Sequence, residues 1–107
     1  MRALVTGGGG LLGGRLLLDA PSGVELAATV RRRPLPQGVT SEALQVELSD
    51  GEMTASMVRR LRPDVIIHTA YGTADLDRDV VAATIAVADA AADVGAGLVH
   101  ISSDVVF

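Results

Sequence analysis

Short apolar runs alternate along this chain with longer mixed segments, the rhythm of a parallel α/β sheet whose strands are joined by helices. The first run, RALVT at residues 2–6, leads straight into four consecutive glycines, Gly7 to Gly10. A helix is expected from Gly10 to about Ala20, with Pro21 ending it. ELAATV predicts a second strand over 25–30. Residues 31–43 carry two prolines and a glycine, so the crossover there is expected to be irregular. LQVEL predicts a third strand over 44–48. Ser49 and Glu52 have the spacing of a capping box that opens the next helix. On that helix Met53, Met57, Val58 and Leu61 share one face, and Pro63 stops it.

The segment DVIIH, 64–68, reads as a fourth strand covered on both faces. A long helix is expected over 78–94, with acids near its start to suit the dipole and Gly95 as its stop. LVHIS, 98–102, predicts the fifth strand. The long helix is apolar almost all round, with Val80, Val81, Ile85, Val87 and Val94 separated largely by alanines. One face is expected on the sheet and the other under a second cover. That cover is either a later helix beyond Phe107 or a second copy, in a homodimer through helix 78–94.

At 107 residues the chain is expected to be one domain, residues 1–107, with a core of Ala, Val and Leu because aromatics make up only 2%. The net charge of -4 and a single short basic run argue against nucleic-acid or anionic-membrane partners. With no cysteine, disulfides, thiolate metal sites and cysteine nucleophiles are excluded, and no metal site is expected. His68 and His100 are expected to be hydrogen-bonded structural groups. The N-terminus has too few apolar residues for a signal peptide, and no run reaches membrane-spanning length, which predicts a cytoplasmic protein. Every basic residue is an arginine, and Tyr71 is the sole tyrosine.

The glycines carry the candidate chemistry. A strand, a glycine-rich turn and a helix form an anion site, because free N–H groups and the positive end of the helix dipole point into the turn. In Thr6-Gly7-x-x-Gly10-x-x-Gly13, Gly7 permits the tight turn, Gly10 the approach of a pyrophosphate and Gly13 the contact of helix with strand. The candidate cradle is Thr6, Gly7, Gly9, Gly10, Leu11, Leu12 and Gly13. NAD-preferring folds of this kind place an acid at the end of strand two. Here Arg31, Arg32 and Arg33 follow Val30. Guanidinium groups grip a 2′-phosphate bidentately, so NADP is expected in preference to NAD, with Arg31 and Arg32 as its ligands.

The T-G-x-x-G-x-x-G spacing resembles the extended short-chain dehydrogenase/reductases. RPDVIIHTAYGTADLD at 62–77 and VGAGLVHISSDVVF at 94–107 are similar to the strand-four and strand-five segments of the dTDP-4-dehydrorhamnose reductase branch. The resemblance implies a Rossmann-type doubly wound parallel sheet, strand order 3-2-1-4-5, cut after strand five. It implies an oxidoreductase acting on a nucleotide-sugar substrate, a 4-keto reductase or epimerase that moves hydride to or from nicotinamide. It sets Glu47 and Leu48 beside adenine, and Thr69, Ala70, Tyr71 and Ser102 along the cofactor. Ser103 takes the place of the catalytic hydroxyl, with Asp104 as its polar neighbour. The family's proton donor is a tyrosine followed four residues later by lysine; position 75, four after Tyr71, is Asp, and the chain has no lysine. These residues alone are therefore expected to be inactive, as the N-terminal part of a longer reductase. The alternative is a non-catalytic NADP-binding regulatory or redox-sensing protein of the same branch.

Overall fold

The structure, a computed structural model, describes residues 1–7, 11–30, 42–69 and 81–101. Five parallel strands, β1 (Arg2–Thr6), β2 (Glu25–Val30), β3 (Glu42–Gln45), β4 (Val65–His68) and β5 (Gly97–His100), form one sheet in the order β3-β2-β1-β4-β5. The helices are α1 (Leu11–Leu18), α2 (Gly51–Leu61) and α3 (Ala82–Val94). This is the doubly wound Rossmann order that the alternation and the resemblance imply.

Register divides the core into two layers. Leu4 pairs with Ala27 and Ile66, and Ile66 with Leu98; one step along, Val5 pairs with Ala28 and Ile67, and Ile67 with Val99. Successive strand residues face opposite sides. Leu4, Ala27 and Ile66 pack under α2 and α3 with Met57, Val58, Leu61, Val87 and Ala90. Val5 and Ala28 meet Leu17 of α1 on the other side. Alanines at 83, 86, 90 and 91 form most of the buried face of α3. Ile85 on its outer face and its cap Val81 are exposed, as are all four residues of β5.

Several local expectations are corrected. β3 starts and ends earlier than 44–48. After Gln45 the Val46 amide makes one more bond to the Val30 carbonyl, and Val46 and Leu48 turn into the core. Their burial satisfies the apolar alternation without extending the ladder. α1 is shorter than the expected 10–20. The cap of α2 is Asp50, whose carboxylate accepts from the Met53 amide at 3.1 Å, whereas the Ser49 hydroxyl turns back to Glu47. Both residues are good caps, and the one directly before Gly51 reaches the free amide. The buried stripe of α2 is Thr54, Met57, Val58 and Leu61, while Met53 is exposed. Thr54 tolerates that position because its hydroxyl donates to the Leu48 carbonyl at 3.1 Å.

α2 ends at Arg62, whose φ of 51° is left-handed. Pro63 disfavours a helical conformation in the residue before it. α3 ends as expected at Gly95, φ 73°. The start of the expected helix, 78–80, and most of the irregular crossover lie outside the described residues.

Candidate functional site

β1 and β4 are neighbours, yet α1 packs on one face of the sheet and α3 on the other. Helices that leave adjacent strands toward opposite faces open a crevice beyond the strands' carboxyl ends, the place where open α/β sheets bind ligands.

Gly7, the first residue after β1, has φ 73°, a left-handed conformation in which a Cβ is strained. α1 begins at Leu11 and carries no acidic residue in its first turn, so the helix itself places no carboxylate at the positive end of its dipole. Gly13 is buried. A Cβ there would collide with the Gly7 carbonyl, 2.7 Å from its carbon, and would stand 3.0 Å from Thr69 Oγ1. Only a residue without a side chain lets α1 close this tightly on the turn. The described part of the turn is thus a left-handed Gly7 closed upon by Gly13 at the start of a helix, the kind of place where backbone amides bind anions.

The floor of the cradle is polar and buried. Thr6, at 1% exposure, accepts from the Thr69 amide at 2.9 Å and lies 2.8 Å from His68 Nδ1. The Thr69 hydroxyl donates to the Thr6 carbonyl. His68 Nε2 is 3.2 Å from Thr84 Oγ1 on α3, and the ring stacks on that of His100 with centroids 5.2 Å apart. Burial, with a smaller contribution from His100, lowers the pKa of His68 from 6.5 to about 4. The ring is therefore neutral at pH 7.

Thr6, Gly7, Leu11, Leu12, Gly13 and Thr69 are thus brought together at the switch point, with the Thr6 hydroxyl turned inward. Glu47 is exposed and accepts from Ser49, and Leu48 is buried in the core beneath α2. Gly9, Gly10, Arg31, Arg32, Ala70, Tyr71, Ser102, Ser103 and Asp104 lie outside the described residues. Sequence reasoning expected His68 to be hydrogen-bonded but missed Thr84, for which no local signal exists. Among the described residues no cluster of His, Asp or Glu is placed to hold a metal ion, and no helix is long and apolar enough to cross a membrane.

The family model described as "RmlD substrate binding domain" matches residues 1–107. No curated protein sequence matches the chain. Among solved structures, the Bordetella bronchiseptica enzyme WbmG in complex with NAD is 25% identical with a TM-score of 0.82, over 94% of this chain and 36% of that one. A UDP-glucose-4-epimerase from Stenotrophomonas maltophila, with bound NAD and formylated UDP-arabinopyranose, is 20% identical with a TM-score of 0.80, over 97% and 37%. L-threonine dehydrogenase from Clostridium difficile is 17% identical with a TM-score of 0.84, over 95% and 36%. The last two show the fold alone. The chain spans about a third of the length of each of these proteins.

Proposed function

Because the chain belongs to the RmlD substrate binding domain family, we propose that residues 1–107 form the NADP-binding domain of an oxidoreductase. The reaction is hydride transfer between nicotinamide and a keto sugar linked to a nucleotide. The observation that carries this reading is the backbone cradle in which Gly13 closes α1 onto the left-handed turn at Gly7. The residues fit a dinucleotide: amides at the start of α1 hold the pyrophosphate, Gly7 takes the tight turn, Gly10 keeps the approach clear and Gly13 lets the helix close on the strand.

NAD in the complex of WbmG supports a nicotinamide dinucleotide. The threonine dehydrogenase shares the fold equally well, so the substrate rests on the family and not on the fold. The preference for NADP rests on position: Arg31 and Arg32 directly follow Val30, the last residue of β2, and β2 lies beside β1. Glu47 and Leu48 border adenine, and Thr69, Ala70, Tyr71 and Ser102 the rest of the cofactor. Ser103 holds the substrate carbonyl oxygen as charge develops there, supported by Asp104. The nicotinamide, when bound, supplies or accepts the hydride.

With no Tyr-x-x-x-Lys pair, these 107 residues bind cofactor without turnover. The exposed Ile85 of α3 and its cap Val81 suit the expected cover, a later helix or a second copy.

Calorimetric titration with NADPH and with NADH, repeated for Arg31→Ala and Arg32→Ala, tests the reading. NADPH is expected to bind more tightly, each substitution weakening it about tenfold, the worth of one charge-assisted hydrogen bond. A folded chain that binds neither cofactor overturns the proposal, and equal affinities overturn its NADP part.

A further inference from the structure

α2 carries its charges at opposite ends. Asp50 caps it and Glu52 lies in its first turn, whereas Arg59 and Arg60 fill its last turn. Asp50 is engaged with the Met53 amide, and Arg59 pairs with Asp93 of α3 at 2.8 Å. Glu52 and Arg60 are exposed and make no ion pair or hydrogen bond among the described residues.

These two stand on the outer face of the helix, four residues before and four residues after the exposed Ser56. At 3.6 residues per turn that spacing lines up Glu52, Ser56 and Arg60 in one stripe, away from the buried Thr54, Val58 and Leu61. Met53, 46% exposed, lies beside the stripe. It lines a groove of about 620 Å³ between β3 and α2, together with Leu44, Val46 and Met57. The helix dipole accounts for an acid in the first turn and a base in the last. It does not account for an exposed apolar side chain and a groove between them.

Two-fold symmetry makes the stripe complementary to itself. A second α2 laid antiparallel, with the axis at Ser56, sets Glu52 against the partner's Arg60 and Arg60 against the partner's Glu52. The same operation brings Met53 to the aliphatic stem of the partner's Arg59, because both lie three residues from Ser56. A serine at the axis is small enough for the helices to approach to the roughly 8–10 Å of a packed pair. A parallel pair would instead set acid on acid and base on base.

We propose that a second copy of this chain docks on the outer face of α2, in an antiparallel two-fold pair closed by reciprocal Glu52–Arg60 contacts across Ser56. The contact is small and its charges lie at the surface, so the pair is weak and loosens in high salt. It does not rest on the dinucleotide reading.

The chain has no cysteine, so Ser56→Cys places a single thiol at the axis. With copper phenanthroline as oxidant, this variant is expected to form a disulfide-linked dimer about tenfold faster than Asp89→Cys or Ile85→Cys, whose thiols would be exposed on α3 and far from the axis. Sedimentation equilibrium at concentrations up to about 1 mM then reads the charges. Glu52→Arg and Arg60→Glu are each expected to weaken self-association about tenfold, because each sets like charges together at both ends of the pair. An equimolar mixture of the two variants is expected to recover the association, since each supplies the charge that the other lacks. Unchanged helix content by circular dichroism separates loss of the pair from loss of the fold.

A wild-type chain that stays monomeric up to that concentration overturns the proposal. So does a dimer that neither reversal weakens, or a mixture that associates no better than its parts. Crosslinking through Ile85→Cys as fast as through Ser56→Cys overturns it too, and would put the second copy on α3.

Discussion

Strands β1 and β4 are fastened at their two ends by opposite chemistry. At the amino ends the fastening is charged and wet. Arg2 pairs with Glu25 at 2.9 Å, with side chains 43% and 72% exposed, its backbone amide donates to the Asp64 carboxylate at 2.7 Å, and its guanidinium reaches the Leu61 carbonyl. At the carboxyl ends of these two strands the described residues are uncharged and buried: Thr6 and His68 are each 1% exposed, with Thr6 Oγ1 2.8 Å from His68 Nδ1. Water can replace a lost partner at the first edge, whereas burial keeps it from Thr6 and His68 at the second. The amino edge therefore holds strands together with tolerance, whereas the carboxyl edge specifies one geometry, and the cradle stands on that edge.

The sharpest way to break this asymmetry is Gly13→Ala. The new methyl meets backbone, which has no rotamer to yield, so the substitution is expected to cost about 3 kcal/mol or more in chemical denaturation and to abolish dinucleotide binding. Gly51→Ala, where a Cβ meets nothing within 4 Å, is the matched control and is expected to be neutral or mildly stabilising.

Acid comes next. His68 has its folded pKa below the unfolded value, so its contribution to stability is fully present above pH 6.5 and is lost as pH falls toward 4. By pH 4 the loss attributable to this group approaches about 3 kcal/mol. It is read as the difference between the pH–stability curves of wild type and His68→Asn, since the carboxylates common to both cancel. Parallel curves would show that His68 is not held neutral by the fold.

At the amino edge the expected effects are small. Glu25→Gln keeps the shape and removes the charge; it is expected to cost less than about 1 kcal/mol, and less again in high salt. A loss comparable to that of Gly13→Ala would erase the contrast between the edges. Smallest is Arg62→Gly, just before the amino end of β4. Relief of a left-handed arginine outweighs the entropy of glycine by about 0.5 kcal/mol, seen as a slight rise in melting temperature.

How far the fold was legible depended on the range of the forces. The boundaries of β1 and β2 and the stop at Gly95 follow from apolar periodicity and glycine chemistry, which act within a few residues. Where two neighbouring residues offered the same local chemistry, local reasoning chose badly. Ser49 and Asp50 are both good caps, and the helix start selected Asp50. Met53 looked like core and Thr54 did not, but Thr54 found the Leu48 carbonyl, a partner available only because Leu48 folds beneath α2.

The candidate site divides along the same line. The sequence by itself determined that a strand meets a helix through glycines, that Gly7 and Gly13 take positions side chains cannot, and that arginines follow β2, because these are properties of local backbone and chain order. Only the tertiary structure decided what Thr6, His68 and Thr84 do. Thr6 and His68 are 62 residues apart and His68 and Thr84 are 16, so their chemistry exists only where the sheet and α3 bring them together and exclude water. The burial that accomplishes this also keeps the His68 ring neutral.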